Sequence, residues 1–501
     1  LFRLRDLCID TFNEPVVFIH EEAVRAGQLG FRPLDRVRVV GRHPKTGERR
    51  EIGGVLNFCS NALITAHEIG LSRLAFVDLD LPEGTEVTAT LTPAPASVDL
   101  VRGKLAGGRL DRAAFDAILG EVVQHRYSKV ELSMFVLACA LRRLDMDEII
   151  DFTRAMIASG SSLDFGPGPI ADKHCVGGVP GNRTTLVVVP ILAALGVTVP
   201  KTSSRAITSP AGTADTMGVL AEVALTPARL HEVVSRTGGC IAWGGALDLA
   251  PADDIMITVE RPMGVDTETQ MVASILAKKK TAGATHALID VPVGPTAKVR
   301  ERADAAHLGA MFETVAAAIG LRVEVVVTDA FAPIGRGIGP RLEALDALAV
   351  LARAPDAPLD LREKSLFLAA RILEMVGAVA PAEGYRRARE ALDGGAAERK
   401  LDEIIDAQGR REPPSEAPHR CAVLAPADGR IRAVDCWAMA KIAKLAGAPA
   451  SESAGIWIAK SAGDVVARGE PLFELHAQTR EQLAFAREYA DAHPEIYAFG
   501  Y

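Results

Sequence analysis

Two apolar runs, at residues 134–141 and 149–156, each follow a polar pair with the spacing of a capping box, Ser128 with Glu131 and Asp145 with Glu148. The pattern predicts a helical layer over residues 98–160. Ahead of it, short β segments such as 36–40 and 86–91 are separated by Gly- and Pro-bearing turns, which predicts a small, mostly β unit. Pro93, Pro95 and their small neighbours up to Ser97 then read as a stiff linker. Beyond about residue 171, β-rich runs (288–293 and 323–328) alternate with amphipathic stretches such as 305–319, the signature of an α/β layer. A second linker over 410–418, with three prolines and four charges, leads into a compact C-terminal unit.

Composition narrows the function classes. The 501 residues are 49% hydrophobic and 24% charged, as in a globular chain of about three domains. Fifty-six Lys plus Arg against sixty-four Asp plus Glu leave a net charge of -8, which gives no broad footprint for nucleic acid but leaves a local anion site open. The longest nearly apolar run, 186–200, contains Pro190 and Gly196 and is shorter than the ~20 residues of a bilayer-spanning helix, so no membrane span is expected. Seven cysteines (Cys8, Cys59, Cys139, Cys175, Cys240, Cys421, Cys436) form no CxxC pair; they suit a reducing cytoplasm and speak against structural zinc. No basic stretch followed by an apolar one opens the chain, so a secretory signal is not expected.

Three segments carry candidate chemistry. In the first, Asp172-Lys173-His174-Cys175 runs into Gly177, Gly178 and Gly181 and then Arg183-Thr184-Thr185, ahead of an apolar helix from Leu186. Glycines that deliver a helix N-terminus let backbone N–H groups converge on an anion, and Lys173 and Arg183 could add charge. Alone, such a segment is more often an ordinary turn, and its spacing is neither Walker nor Rossmann. The second segment, 201–216, holds seven hydroxyl side chains with Lys201 and Arg205, a composition suited to phosphate and ribose oxygens or to a polar loop capping a helix near Asp215. Two such loops after strand-like runs favour an oxyanion site. In the third, Asp266 reads as a helix N-cap, and Gln270, Ser274 and Lys278, four apart, form a polar stripe. Ser274 and Lys278 are expected to face inward, Lys279 and Lys280 to be solvated.

These segments, in this order and spacing, resemble the nucleoside phosphorylases that include thymidine and pyrimidine-nucleoside phosphorylases. The N-terminal unit and Ser204-Arg205-Ala206-Ile207-Thr208-Ser209 point to the long-chain subgroup, which includes AMP phosphorylase and bacterial thymidine-phosphorylase-like members. The likeness covers at least residues 98–500. It implies reversible phosphorolysis: phosphate attacks the anomeric carbon, the base leaves and a sugar 1-phosphate forms, with no metal or organic cofactor. It carries phosphate binding to Lys173, Thr185, Ser203 and Thr213, with Gly178 at the nucleotide, and to Cys175, where the family usually has serine. His174, Ser274 and Lys278 match base-recognition positions; Asp266 would give the leaving base its proton, with His174 beside it in the catalytic set. Ser204, Arg205, Ala206, Ile207, Thr208, Ser209 and Lys298 match nucleotide-binding positions, and Arg261 falls near the arginine that short-chain members place on the pyrimidine carbonyl.

The resemblance also implies an α/β multidomain architecture. A helical domain (98–165, with 251–283 added) would pack across a cleft from an α/β phosphate-binding domain (166–250 and 284–410), between a β-rich N-terminal domain (1–95) and a C-terminal α+β domain (419–501). In the last, 423–431 and 462–472 resemble the halves of a biotinyl or lipoyl hammerhead, but Leu475-His476-Ala477-Gln478 has no lysine where a carrier would need one. A homodimer binding only phosphate and a small nucleoside or nucleotide is the expected assembly. Free nucleoside and nucleoside 5′-monophosphate both remain open as substrate, Lys201, Arg205 and Lys298 being cations that could hold a 5′-phosphate. A phosphoribosyltransferase of the same fold is the rival enzyme, although no acidic pair for Mg²⁺ stands beside the glycine loop.

Overall fold

The computed structural model describes residues 1–27, 30–60, 62–206, 209–265 and 267–500. Two compact units divide the chain, Leu1–Gly160 with Ala250–Ser274, and Ser161–Leu249 with Ile275–Tyr501. The expected grouping of 251–283 with the helical layer therefore ends at Ser274, inside the helix Glu268–Thr281.

In the first unit, strands β1 (Phe2–Asp6), β2 (Val16–His20), β3 (Arg36–Arg42), β4 (Arg49–Cys59), β5 (Glu68–Leu71) and β6 (Glu86–Leu91) close into a barrel of order β1-β5-β2-β4-β3-β6. In β3, Val37 and Val39 point into the barrel while Arg38 is exposed, the two-residue period of a strand with one wet face. Closure leaves no free sheet edge. Helices Val98–Leu105, Arg112–Val123, Lys129–Leu141, Met146–Ser159 and Pro251–Met263 form the adjoining bundle. Both expected capping boxes are present, at Ser128 and Asp145. Glu148 is buried, but it pairs with Lys104 at 2.7 Å and accepts from the backbone N–H groups of Leu110 and Asp145, so burial leaves it satisfied.

The second unit is built on β7 (Ala171–Cys175), β8 (Val199–Ser203), β9 (Gly239–Trp243), β10 (His286–Val293) and β11 (Arg322–Asp329). The pairs β11-β10-β7 and β8-β9 are parallel, and a bridge between Ile170 and Thr198 joins them in the order β11-β10-β7-β8-β9. The apolar run begins as the helix Thr184–Ala194, two residues before Leu186, with Pro190 inside it. It is buried on every side, so it has no polar face to alternate.

The C-terminal part places β12 (Gly337–Ile338), β13 (His419–Leu424), β14 (Gly429–Val434), β15 (Gly455–Ile458), β16 (Val465–Val466), β17 (Pro471–Ala477) and β18 (Tyr497–Gly500) in two sheets, ordered β12-β15-β17-β13 and β16-β14-β18. Leu475, His476 and Ala477 lie buried within β17, between β13 and β15, and not on a hairpin tip. A carrier lysine would have no exposed turn at that position. Strand β12 belongs by sequence to the α/β layer, yet it completes the first of these sheets.

Candidate functional site

Parallel strands send their following loops to one end of a sheet, where backbone N–H groups and side chains can meet a ligand. After β7 the chain turns through Gly177 (φ +115°) and Gly178 (φ +73°), a left-handed path open to glycine, into the helix that starts at Thr184. A side chain at Gly178 would touch Ser209 Cβ at 3.5 Å, and one at Gly177 would meet Lys298 Cβ at 3.1 Å. Asn182 donates to the Ala211 carbonyl at 2.7 Å. The loops after β7, β8 and β10 therefore converge, bringing the candidates Lys173, His174, Cys175, Gly178, Thr185, Ser203, Ser209 and Lys298 into one region.

Lys173 is 1% exposed, and its Nζ donates to Thr184 Oγ1 at 2.6 Å; among the described residues no carboxylate pairs with it. Thr184 Oγ1 in turn donates to the Gly181 carbonyl at 2.7 Å. Burial pushes the Lys173 pKa below the ordinary lysine value, with Cys175 and Asp290 pulling the other way. Thr185, the residue singled out from the sequence, is buried beside Thr184 in the same first turn.

Asp172 is buried between two lysines: Lys201 Nζ lies 3.1 Å from Oδ1 and Lys279 Nζ 2.9 Å from Oδ2. Burial alone would raise its pKa, but Lys201 and then Lys279 outweigh that effect and hold the carboxyl below its usual value. Burial depresses Lys201 despite Asp172. On the neighbouring strand, Asp290 accepts from Thr328 Oγ1 at 2.6 Å and pairs with Lys364 at 3.0 Å. Around β7, Asp172 is thus held by Lys201 and Lys279, and Asp290 by Lys364, whereas Lys173, on the opposite face of the strand from Asp172, meets one hydroxyl.

His174 is held well below the ordinary histidine value, first by burial and then by Lys279 and Lys201, so its imidazole is neutral at pH 7. Burial, then Asp290, pushes the Cys175 thiol up to about 12, which keeps it protonated. Its Sγ fills the space beside Gly181, where an added Cβ would lie 2.2 Å away.

In the second loop, Ser203 Oγ donates to the Ser204 carbonyl at 3.2 Å, and Asp215 accepts from the backbone N–H groups of Ala206 (2.6 Å) and Gly212 (2.9 Å). Asp215 thereby caps the short helix Thr213–Gly218, with Thr213 half-buried at its start. Arg205 is exposed; its guanidinium carbon lies 4.8 Å from the Trp243 ring centroid and Nη1 is 4.0 Å from Asp215. Ile207 and Thr208 lie outside the described residues, as does Asp266. The helix after Asp266 begins at Glu268, and Thr267 caps it: its Oγ1 accepts from the Gln270 N–H at 3.3 Å. Ser274 and Lys278 are half-buried on that helix. Arg261 is exposed in the first unit, by a surface cavity that Phe12, Lys129 and Ser133 also line.

Three readings are corrected: Arg183, considered as a charge for the anion, is buried and pairs with Glu343 at 3.3 Å and Asp346 at 3.2 Å. Lys279, expected in solvent, is 4% exposed and held by Asp172, whereas Lys280 does reach outward to the Gly320 carbonyl. Lys201, a cation considered for a 5′-phosphate, is buried and occupied by Asp172 and the Thr202 carbonyl. Asp172, Thr184, Asp290 and Lys364 were not singled out at all. A periodicity signal did exist for Lys279, because Val272, Leu276 and Lys279 share one helix face at the i, i+4, i+7 spacing.

Residues 98–160 match the helical bundle domain of the glycosyl transferase family, and residues 167–398 match its α/β domain. A protein of Polaromonas sp. strain JS666 named "Putative thymidine phosphorylase" is 49% identical over 98% of this chain and 95% of its own length. A protein of the same name from Methylococcus capsulatus is 47% identical over 97% of this chain and 94% of its own. Among solved structures, anthranilate phosphoribosyltransferase from Thermus thermophilus aligns with a TM-score of 0.52 and 22% identity over 62% of this chain and 99% of its own, a likeness of fold alone. With both domains matched, and relatives this similar over nearly its whole length, the chain belongs to the thymidine-phosphorylase-like family of glycosyl transferases.

Proposed function

We propose that this chain is a nucleoside phosphorylase of the thymidine phosphorylase type, a pentosyltransferase that reversibly cleaves an N-glycosidic bond with phosphate to release base and sugar 1-phosphate. The single observation that carries the chemistry is Lys173, a buried ammonium group in the middle of β7 whose acceptor is one hydroxyl. Phosphate is the co-substrate whose charge such a site would balance. The glycine loop, Thr185, Ser203 and Thr213 would fix its oxygens, and Cys175 would offer a weak thiol donor. Neutral His174 would accept or donate a hydrogen bond at the substrate without adding charge. Ser274, Lys278 and Arg261 would recognise the base, and Asp266 would protonate it as it leaves. The reaction so written needs no metal or organic cofactor. A homodimer working in the cytoplasm is part of the same proposal.

A second reading, phosphorolysis of nucleoside 5′-monophosphates as in AMP phosphorylase, is favoured by Arg205. Its guanidinium is exposed and braced on an indole beside a loop of hydroxyl groups, a posture suited to a terminal phosphate. Base release in metal-free phosphate buffer from thymidine, uridine, adenosine, AMP, CMP and UMP tests both. Release from nucleosides supports the first reading and release from monophosphates alone the second. No phosphate-dependent release from any of the six would overturn both.

A further inference from the structure

Behind the glycine loop, Lys364 of the helix Leu359–Met375 joins three separate pieces of the α/β layer. Its Nζ lies 3.0 Å from Asp290 Oδ2 on β10, 2.9 Å from Thr328 Oγ1 on β11 and 3.2 Å from the carbonyl oxygen of Pro180 in the loop. Asp290 holds the other flank, because its backbone carbonyl accepts from the Val176 N–H at 2.8 Å. The lysine side chain is 10% exposed and the aspartate 0%, so these bonds are little weakened by water. The loop is thus tied at its first residue by Asp290 and near its end by Lys364. Between the ties lie only glycines and Val179; none has a polar side chain, and the Val179 carbonyl accepts from the Ile334 N–H at 3.3 Å.

We propose that Lys364 is a positioning residue for phosphate: through Pro180 it holds the loop between Val176 and Gly181 in the shape that presents its N–H groups to the anion. This rests on the phosphorolysis reading and adds to it a residue that does not touch substrate. Wild-type protein is first titrated with inorganic phosphate, following the unfolding temperature; a rise with phosphate registers binding without any turnover. Absence of that rise would remove the phosphate site itself, and the proposal with it.

Given the rise, Lys364→Met should weaken phosphate by about tenfold in the titration and in KM, less than loss of a direct charge-assisted hydrogen bond because the lysine acts through the loop, while nucleoside KM stays within twofold. Lys364→Arg should recover part of the loss. Because Lys364→Met alone strands a buried carboxylate, the double variant Lys364→Met with Asp290→Asn is measured beside it. It removes one charge of each sign and leaves the net charge of the cluster unchanged. Continued weak phosphate binding in the folded double variant supports anchoring through Pro180. Wild-type phosphate affinity in either variant overturns it.

Discussion

Replacing Lys173 by methionine separates two properties of one ammonium group. If the group exists for phosphate, Lys173→Met raises the phosphate KM about a hundredfold, as loss of a buried charge-assisted hydrogen bond would. The same variant should unfold at a higher temperature than wild type when phosphate is absent, because a charge held by one hydroxyl is gone. A lower unfolding temperature with unchanged phosphate KM would mark Lys173 as a structural residue. His174 makes a pH prediction. Its folded pKa is below the unfolded value near 6.5, so the unfolded chain takes up the proton first, and the stability His174 contributes is complete above pH 6.5 and lost as pH falls below it. Thermal unfolding of wild type and His174→Gln between pH 7.5 and 5 should show the steeper acid loss in wild type. Equal slopes would exclude it.

At the scale of elements, the β8 loop depends on one close approach. A Cβ on Gly212 would lie 2.6 Å from the Ser204 carbonyl oxygen and 2.8 Å from the Arg205 carbonyl carbon, both backbone atoms that cannot swing aside. Gly212→Ala should therefore shift Ser204, Arg205 and Ala206 together and raise substrate KM by about tenfold, the effect of a 1.4 kcal/mol loss. The far-UV circular dichroism should be unchanged, because the loop contributes no strand or long helix. Unaltered KM would mean that this loop takes no part in binding. The helix Glu268–Thr281 shows how one element can serve two purposes. Lys278 and Lys279 are adjacent, yet about 100° apart around the axis, so Lys279 enters the core and neutralises Asp172 while Lys278 lies half-buried on another face.

Over the whole molecule, the candidate residues are divided. Lys173, Cys175, Thr185, Ser203, Thr213 and Lys278 belong to the second unit, whereas Arg261 and Ser274 belong to the first. The phosphate candidates all lie in the second unit, so Arg261→Ala should raise nucleoside KM but leave the phosphate-dependent rise in unfolding temperature intact. Loss of that rise would contradict the division. Within the second unit the C-terminal sheets are not an appendage. Val179 of the glycine loop packs into their core with Ile338, and the Cys436 N–H donates to Thr296 Oγ1 at 3.0 Å in the loop after β10. The C-terminal part thus braces two of the loops that converge at the site.

The local grammar of the chain was sufficient for much of this. Ser128, Asp145 and the apolar runs behind them placed two helices with their caps, and the β segments at 288–293 and 323–328 became β10 and β11, because caps and alternation are short-range properties. The glycine and hydroxyl loops were legible as candidate anion loops for the same reason. What sequence alone did not determine was which charges are buried and with whom. Lys279 read as a solvated cation and Lys201 as a cation for a 5′-phosphate until the tertiary structure set both on Asp172, and Lys364 lies 184 positions beyond Pro180, whose carbonyl it holds. A buried charge is tolerable only beside its partner, and those partners come from distant strands and helices whose meeting is decided by packing.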